Sequence, residues 1–222
     1  MAEDWSTDLL HRFQFFAAGD DLDVFEGALL VSELVDPDED VPAARALADG
    51  FAARIRALVS GGAEPVDALR QVLFDEERFG GDQESYDEPK NSSVARVLAT
   101  RRGMPITLSI ATVEVARRAG IRLSGIGLPG HFIVGGEDLP EGTYLDPFDG
   151  GILRDQDSVS RRVSAVFGTP LALPDEIFAP DTERAILSRV LSNLRRSWER
   201  RERYVEALEA LRWAEILDPE EV

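Results

Sequence analysis

The chain has 222 residues, no cysteine, and 42 acidic against 24 basic residues, for a net charge of -18. That charge repels phosphate backbones and anionic headgroups at long range, which argues against nucleic acid and membrane surfaces as partners. Without cysteine there is no disulfide, no thiolate metal site and no thiol nucleophile. No stretch is long and apolar enough to span a bilayer, and the opening MAEDWSTD has no apolar leader run, so a cytoplasmic protein is expected.

Residues 1–80 read as a helical module. Thr7 or Asp8 is placed to cap a first helix carrying Leu9, Leu10, Phe13 and Phe16, and Asp20 or Asp21 a second carrying Leu22, Phe25, Leu29 and Leu30. Asp36 to Pro42, with two prolines, reads as a polar turn. Leu47, Phe51, Ile55 and Leu58 then repeat at helical spacing between Ala44 and Val59, and Ser60-Gly61-Gly62 stops them. A further helix is expected from Val66 to Phe74. His11 shares a helix face with Phe15 and reads as a packed or half-exposed core residue rather than a ligand. The stretch FGGDQESYDEPKN, 79–91, has turn residues and no period. Loops of this length often cover sites, and Tyr86 and Asn91 are its candidate binding residues. Lys90 is the only lysine, a bias that fits either GC-rich codons or an acidic surface adapted to high salt. A short helix, Ser92 to Thr100, leads into the centre of the chain.

That centre is RRGMPITLSIATVEVARRAG. Pro105 suits a first helical position, where its missing N–H has no partner to lose, and Gly120 suits the left-handed residue just past the end. Ile106, Ile110 and Val113 repeat on one face and Leu108, Ala111 and Val115 on another, so this helix is apolar on more than one side and central. The period then changes: IRLSGIGLPGHFIVGG and TYLDPF are short apolar runs broken by Gly and Pro, read as strands and a hairpin. From residue 152 to about 180 the expectation is a turn, a short amphipathic helix and a proline-punctuated connector.

Beyond Asp181 the pattern is helical. With Pro219 set at the closing position of a 34-residue tetratricopeptide repeat, Leu191, Leu194, Trp198, Ala207, Leu211 and Ala214 fall on its consensus positions, while Arg195 falls where a small residue is usual. A second repeat would begin at Glu220 to Val222. Leu211 and Trp213 lie about 200° apart around their helix, so one of them should leave the repeat's own seam and either anchor a partner or dock onto the rest of the chain.

Three blocks in order, LFDEERFGGDQESYDEPKNSSVARVLATRRGMPITLS, GLPGHFIVG and YLDPFDGG, resemble the transglutaminase-like superfamily, and within it a bacterial subfamily joining such a domain to C-terminal tetratricopeptide repeats. The resemblance covers nearly the whole chain. It implies a papain-like core in which active members carry a Cys at the start of the central helix, a His on a following strand and an Asp on the next. By position His131 and Asp146 fill the second and third places, a remnant dyad, and Pro105 stands at the first. Proline supplies neither a nucleophile nor an N–H. Thr107 is turned about 200° away and Ser109 lies about 6 Å further along the helix, so neither is an evident substitute. Where the family block often continues PGHF-x-x with an arginine, this chain has Gly135. His131, Asp146 and Asp149 are a thin set for zinc, and neither a metal nor a cofactor is expected.

The expectation is therefore an α+β protein: a helical N-terminal module (1–80), a papain/transglutaminase-like core with its central helix on a small antiparallel sheet (81–180), and a tetratricopeptide-like hairpin (181–222). The leading functional expectation is a non-catalytic protein that binds a protein or peptide through its cleft and hairpin, with self-association open. The alternatives are a hydrolase or acyl transferase using His131, Asp146 and a water or hydroxyl, and a structural scaffold.

Overall fold

The computed structural model describes residues 2–171 and 173–219, with side chains from Thr7 onward. The chain opens with helices α1 (Ala2–Ala17), α2 (Val24–Val35), α3 (Val41–Ser60) and α4 (Pro65–Arg70), the last continued by a π-helical turn over Gln71–Glu76. Two-residue strands β1 (Gly80–Gly81) and β2 (Arg102–Gly103) flank α5 (Val94–Thr100) and pair in parallel. Then come α6 (Pro105–Ala119), β3 (Ser124–Leu128), β4 (His131–Gly135), β5 (Thr143–Asp146), β6 (Ile152–Asp155), α7 (Gln156–Phe167), α8 (Glu183–Glu199) and α9 (Tyr204–Leu217). Strands β3 to β6 form one antiparallel sheet in sequence order. The α+β expectation holds. Glu220, Glu221 and Val222, where a second repeat would begin, lie outside the described residues.

Several local expectations need correction. α1 begins at Ala2, so Thr7 and Asp8 sit inside it rather than capping it. The α2 cap is Asp23, not Asp20 or Asp21: its carboxylate accepts from the N–H groups of Phe25 and Glu26 at 2.9 and 3.1 Å. α3 begins at Val41 because Asp40 caps Ala43 N at 2.9 Å, and Pro42, early in the first turn, has no N–H to leave unpaired. The inward stripe of α1 is Leu9, Phe13 and Ala17, which turns His11 and Phe15 to solvent instead of the core. The expected turn after 151 contains β6, an edge strand whose alternation is hidden by the polar text RDQD.

α6 is the organising element. Pro105 is its first residue, and Gly120, with φ 84°, closes it by donating to Ala116 O and Arg117 O. Pro105 through Thr112 are all buried, as the apolar text on both faces requires. Phe132 and Val134 of β4 and Leu145 of β5 pack into the same core as α6, whereas Ile126, Leu128 and Ile133 face Val159 and Val163 of α7. The sheet is thus covered on both sides, and every residue of β4 is buried.

Helices α8 and α9, joined by four residues, form a hairpin on this body. Ile186, Leu187, Val190, Leu191, Leu194 and Trp198 are its buried stripe from α8. One apolar core runs from Leu9 through α6 to Leu217, so the hairpin shares the core of the rest.

Candidate functional site

Pro105 and Ile106 at the start of α6, His131 of β4, Tyr86 of the 79–91 loop, and Arg189 and Arg196 of α8 surround a cleft of about 600 Å³. The hairpin between β3 and β4 sets the histidine. Leu128 pairs with His131, leaving Pro129-Gly130 as a two-residue turn. Gly130 adopts φ 65°, the left-handed conformation the second turn position requires, so His131 is the first residue of β4. The Arg189 guanidinium fixes the same turn from outside: its Nη2 donates to Leu128 O and, at 2.8 Å, to His131 O, and the group lies over the Phe132 ring.

His131 Nε2 lies 3.0 Å from Asp146 Oδ2, the last residue of β5, and both side chains are buried, 3% and 0% exposed. The dyad is therefore assembled as the sequence suggested. The carboxylate has other partners as well. Arg154 Nε donates to the same Oδ2 at 3.0 Å, and Asp149 N–H donates to Oδ1 at 3.3 Å. Arg154 also pairs with Asp149, and Arg162 Nε reaches Asp149 at 3.1 Å. Burial alone would raise the Asp146 pKa, but the His131 ring, Arg154 and the Asp149 N–H outweigh it and hold the carboxyl below its ordinary value. In a catalytic pair the aspartate's charge serves the imidazole; here Arg154 shares it. The network ties β4, β5, β6 and α7 together.

The hydroxyls of α6 do not serve the imidazole. Thr107 Oγ1 donates to Asn91 O at 2.8 Å and approaches Met104 O at 3.2 Å, anchoring the loop before α5 to the start of α6. Ser109 is fully buried, its Oγ has no hydrogen-bond partner among the described residues, and it lines a separate pocket of about 380 Å³ beside Phe25, Ile110 and Leu123. Among the described residues, no Ser or Thr oxygen makes a hydrogen bond to His131, and no group of three or more His, Cys, Asp or Glu is placed to hold a metal ion. At Gly135 a Cβ would lie 2.6 Å from Ile126 Cδ1, so an arginine there would displace the strand's neighbour.

The two candidate loop residues divide their roles. Asn91 is buried and donates through Nδ2 to Ser85 O at 2.7 Å, which shapes the loop without reaching the cleft. Tyr86 lines the cleft and meets Phe148 edge-on at 6.0 Å, and Phe148 meets His131 edge-on at 6.2 Å. Burial and the nearby Asp87 push the Tyr86 phenol up, against the opposing pull of Arg189, Arg200 and Arg162. Arg200 with Asp87, and Arg201 with Glu88 at 2.6 Å, pin the loop to the turn between α8 and α9.

Trp213 is not a free anchor. It is 1% exposed and stacked on Phe13 of α1, with ring centroids 4.1 Å apart and planes 21° from parallel. The residue that leaves the hairpin's seam finds its cover on α1 instead of a partner, and Leu211 is half-buried. The exposed apolar residues of α9 are Tyr204, Val205 and Leu208. Sequence reading missed Arg154, Arg162 and Arg189, the three cations that fix the site. The only sequence signal for Arg189 is the polar stripe Ser188, Arg189, Ser192, Asn193 and Arg196 along α8.

Comparison with known proteins agrees with this architecture. A family model described as the transglutaminase-like superfamily matches residues 43–192. The chain is similar to a UPF0162 protein of Xylella fastidiosa strain 9a5c, 34% identical over 199 residues that make up 84% of this chain and 69% of the relative. A UPF0162 protein of strain Temecula1 is 37% identical over 135 residues, 57% of this chain and 46% of that protein. The mouse F-box only protein 21 is 36% identical over 84 residues, 38% of this chain and 13% of its own length. No solved structure matches. With its family match centred on α6, β4 and β5 and its His131–Asp146 pair in place, the chain belongs to the transglutaminase-like superfamily, among the UPF0162 proteins.

Proposed function

We propose that this protein is a non-catalytic member of its superfamily that binds a peptide segment of another protein in the cleft between α6 and α8. One observation carries the reading: the helix start that shares the cleft with the histidine is Pro105, and the dyad there is held by Arg154 as a structural tie. A cleft of about 600 Å³ has the size at which proteins bury small ligands or a few side chains of a peptide. The exposed row Tyr204, Val205 and Leu208 on α9 would give the same partner a second apolar contact. The protein would act in the cytoplasm, consistent with the absence of a described helix long and apolar enough to cross a membrane.

The test is a peptide selection against the folded chain, with no constraint on peptide composition. Selected peptides should bind the wild type and lose at least about tenfold in affinity to Ser192→Trp, which fills the cleft from α8. In parallel, ester hydrolysis and glutamine-to-amine acyl transfer should stay at background. Turnover that disappears in His131→Ala would sink the non-catalytic reading in favour of a hydrolase.

A further inference from the structure

From the α8 wall of the cleft we infer that its ligand is an extended acidic peptide, held by Arg189 and Arg196; this rests on the peptide-binding reading above. The cleft runs against the charge of the whole molecule. In a chain of net charge -18, the charged groups lining it are Asp87, Arg189, Arg196 and Arg200, and Asp87 is already paired with Arg200. Arg195, Arg200, Arg201 and Arg203 around the turn after α8 all pair with carboxylates. Arg196, in the same basic run, makes no ion pair or side-chain hydrogen bond to any described residue. Arg189 is half-buried: its Nη2 donates to the two carbonyls of the Pro129-Gly130 turn, and the Asp181 carboxylate acts on the guanidinium from beyond ion-pair distance.

A further feature of the same cleft favours a negative guest. Pro105 and Ile106 at the start of α6 line the cleft, and Met104 offers no side-chain cap, so the positive end of the helix lies at the cleft wall.

Spacing decides between a small anion and a chain. Arg189 and Arg196 are seven positions apart, on the same face and about 10 Å apart along the axis. A lone carboxylate or phosphate meets both only if the two side chains converge, and Arg189 is held at the Pro129-Gly130 turn. An extended peptide presents alternate side chains about every 7 Å, within reach of two long arginine side chains.

The experiment uses fluorescein-labelled eight-residue peptides with Glu, Gln or Lys at alternate positions, read by anisotropy against the full chain. At low salt the Glu peptide should bind at least about tenfold tighter than the Gln peptide, with the advantage shrinking as salt rises. Arg196→Glu should remove that advantage and Arg196→Lys should keep most of it, while the Gln peptide's affinity moves less than about twofold. Arg196 is exposed and unpaired, so neither change threatens the fold. Inorganic phosphate should compete weakly; full competition at low millimolar phosphate would show a single-anion site and overturn the peptide assignment. Equal binding of Glu and Gln peptides, or indifference to Arg196→Glu, overturns the acidic preference and leaves the cleft-binding reading standing. Binding of none of the three also overturns it, and the unconstrained selection then decides separately whether the cleft binds peptides at all.

Discussion

Replacing Asp146 by Asn separates a structural tie from a poised catalytic pair. The amide keeps the shape and loses the charge. With its oxygen toward Asp149 N–H, the new NH₂ faces Arg154 Nε–H, which cannot become an acceptor; turned the other way, it faces the Asp149 N–H. Either orientation leaves a donor against a donor in a site that is 0% exposed. Breaking a buried pair typically costs about 3–5 kcal/mol, and Arg154 keeps Asp149 as a second carboxylate, so we take the lower end, about 3 kcal/mol. For a chain of this size that is a fall in melting temperature of about 6–12 °C at pH 7, measurable by calorimetry. The pH dependence has a definite sign. Asp146 titrates below its unfolded value in the folded protein, so its stabilisation is present above about pH 4 and is lost as pH falls through the folded pKa. The wild-type advantage over Asp146→Asn should therefore shrink on acidification below about pH 4. A shift under about 2 °C at neutral pH would show that Arg154 and Asp149 hold the corner without Asp146, and the tie would have to be abandoned.

Three other outcomes follow from the same geometry. Trp213→Ala removes a stacked, fully buried ring and should cost about 4 kcal/mol by urea unfolding; a near-neutral change would mean that α1 does not rely on the hairpin. Ser109→Ala deletes a buried hydroxyl with no partner among the described residues, so stability should be unchanged or rise by up to about 1 kcal/mol, and a loss of more than about 1 kcal/mol would refute the unsatisfied hydroxyl. Pro105→Cys places a thiol at the start of α6 in the cleft it shares with His131; its pKa, read from alkylation rate against pH, should fall below the free value of about 8.5 and rise again when His131→Ala is added. A thiol that titrates normally in both would show that the site has changed by more than one residue.

What could be read in the sequence was whatever local chemistry determines. Pro105 and Gly120 bracket α6 because each suits a helix end for its own backbone reason, and the two apolar faces between them require burial. The order PGH forces a turn and puts His131 at a strand start, which brings it to Asp146 once β4 and β5 pair. The failures are long-range. Arg189 lies 58 residues from His131 and acts on its carbonyl, a role no periodicity announces. Trp213 does leave the hairpin's seam, but what covers it is Phe13, 200 residues earlier in the chain. β6 was hidden because an edge strand with Ile152 exposed has no apolar alternation to show.

These long-range contacts also determine which experiments can locate the partner. α8 is at once half of the hairpin and one wall of the cleft, and Arg189 holds the turn that carries His131. Gly127 marks how closely the two parts approach: a Cβ there would stand 2.6 Å from Arg189 Nη1. A truncation before Glu183 would uncover Phe13 and Gly27, take away one side of the cleft and release the loop that Arg200 and Arg201 pin. Loss of binding in such a truncation would follow whether the partner sits on α9, in the cleft or across both. Point changes that leave the core intact do discriminate. Leu208→Asp alters only the exposed row of α9 and Ser192→Trp only the cleft, so a partner held by the cleft should tolerate the first and not the second.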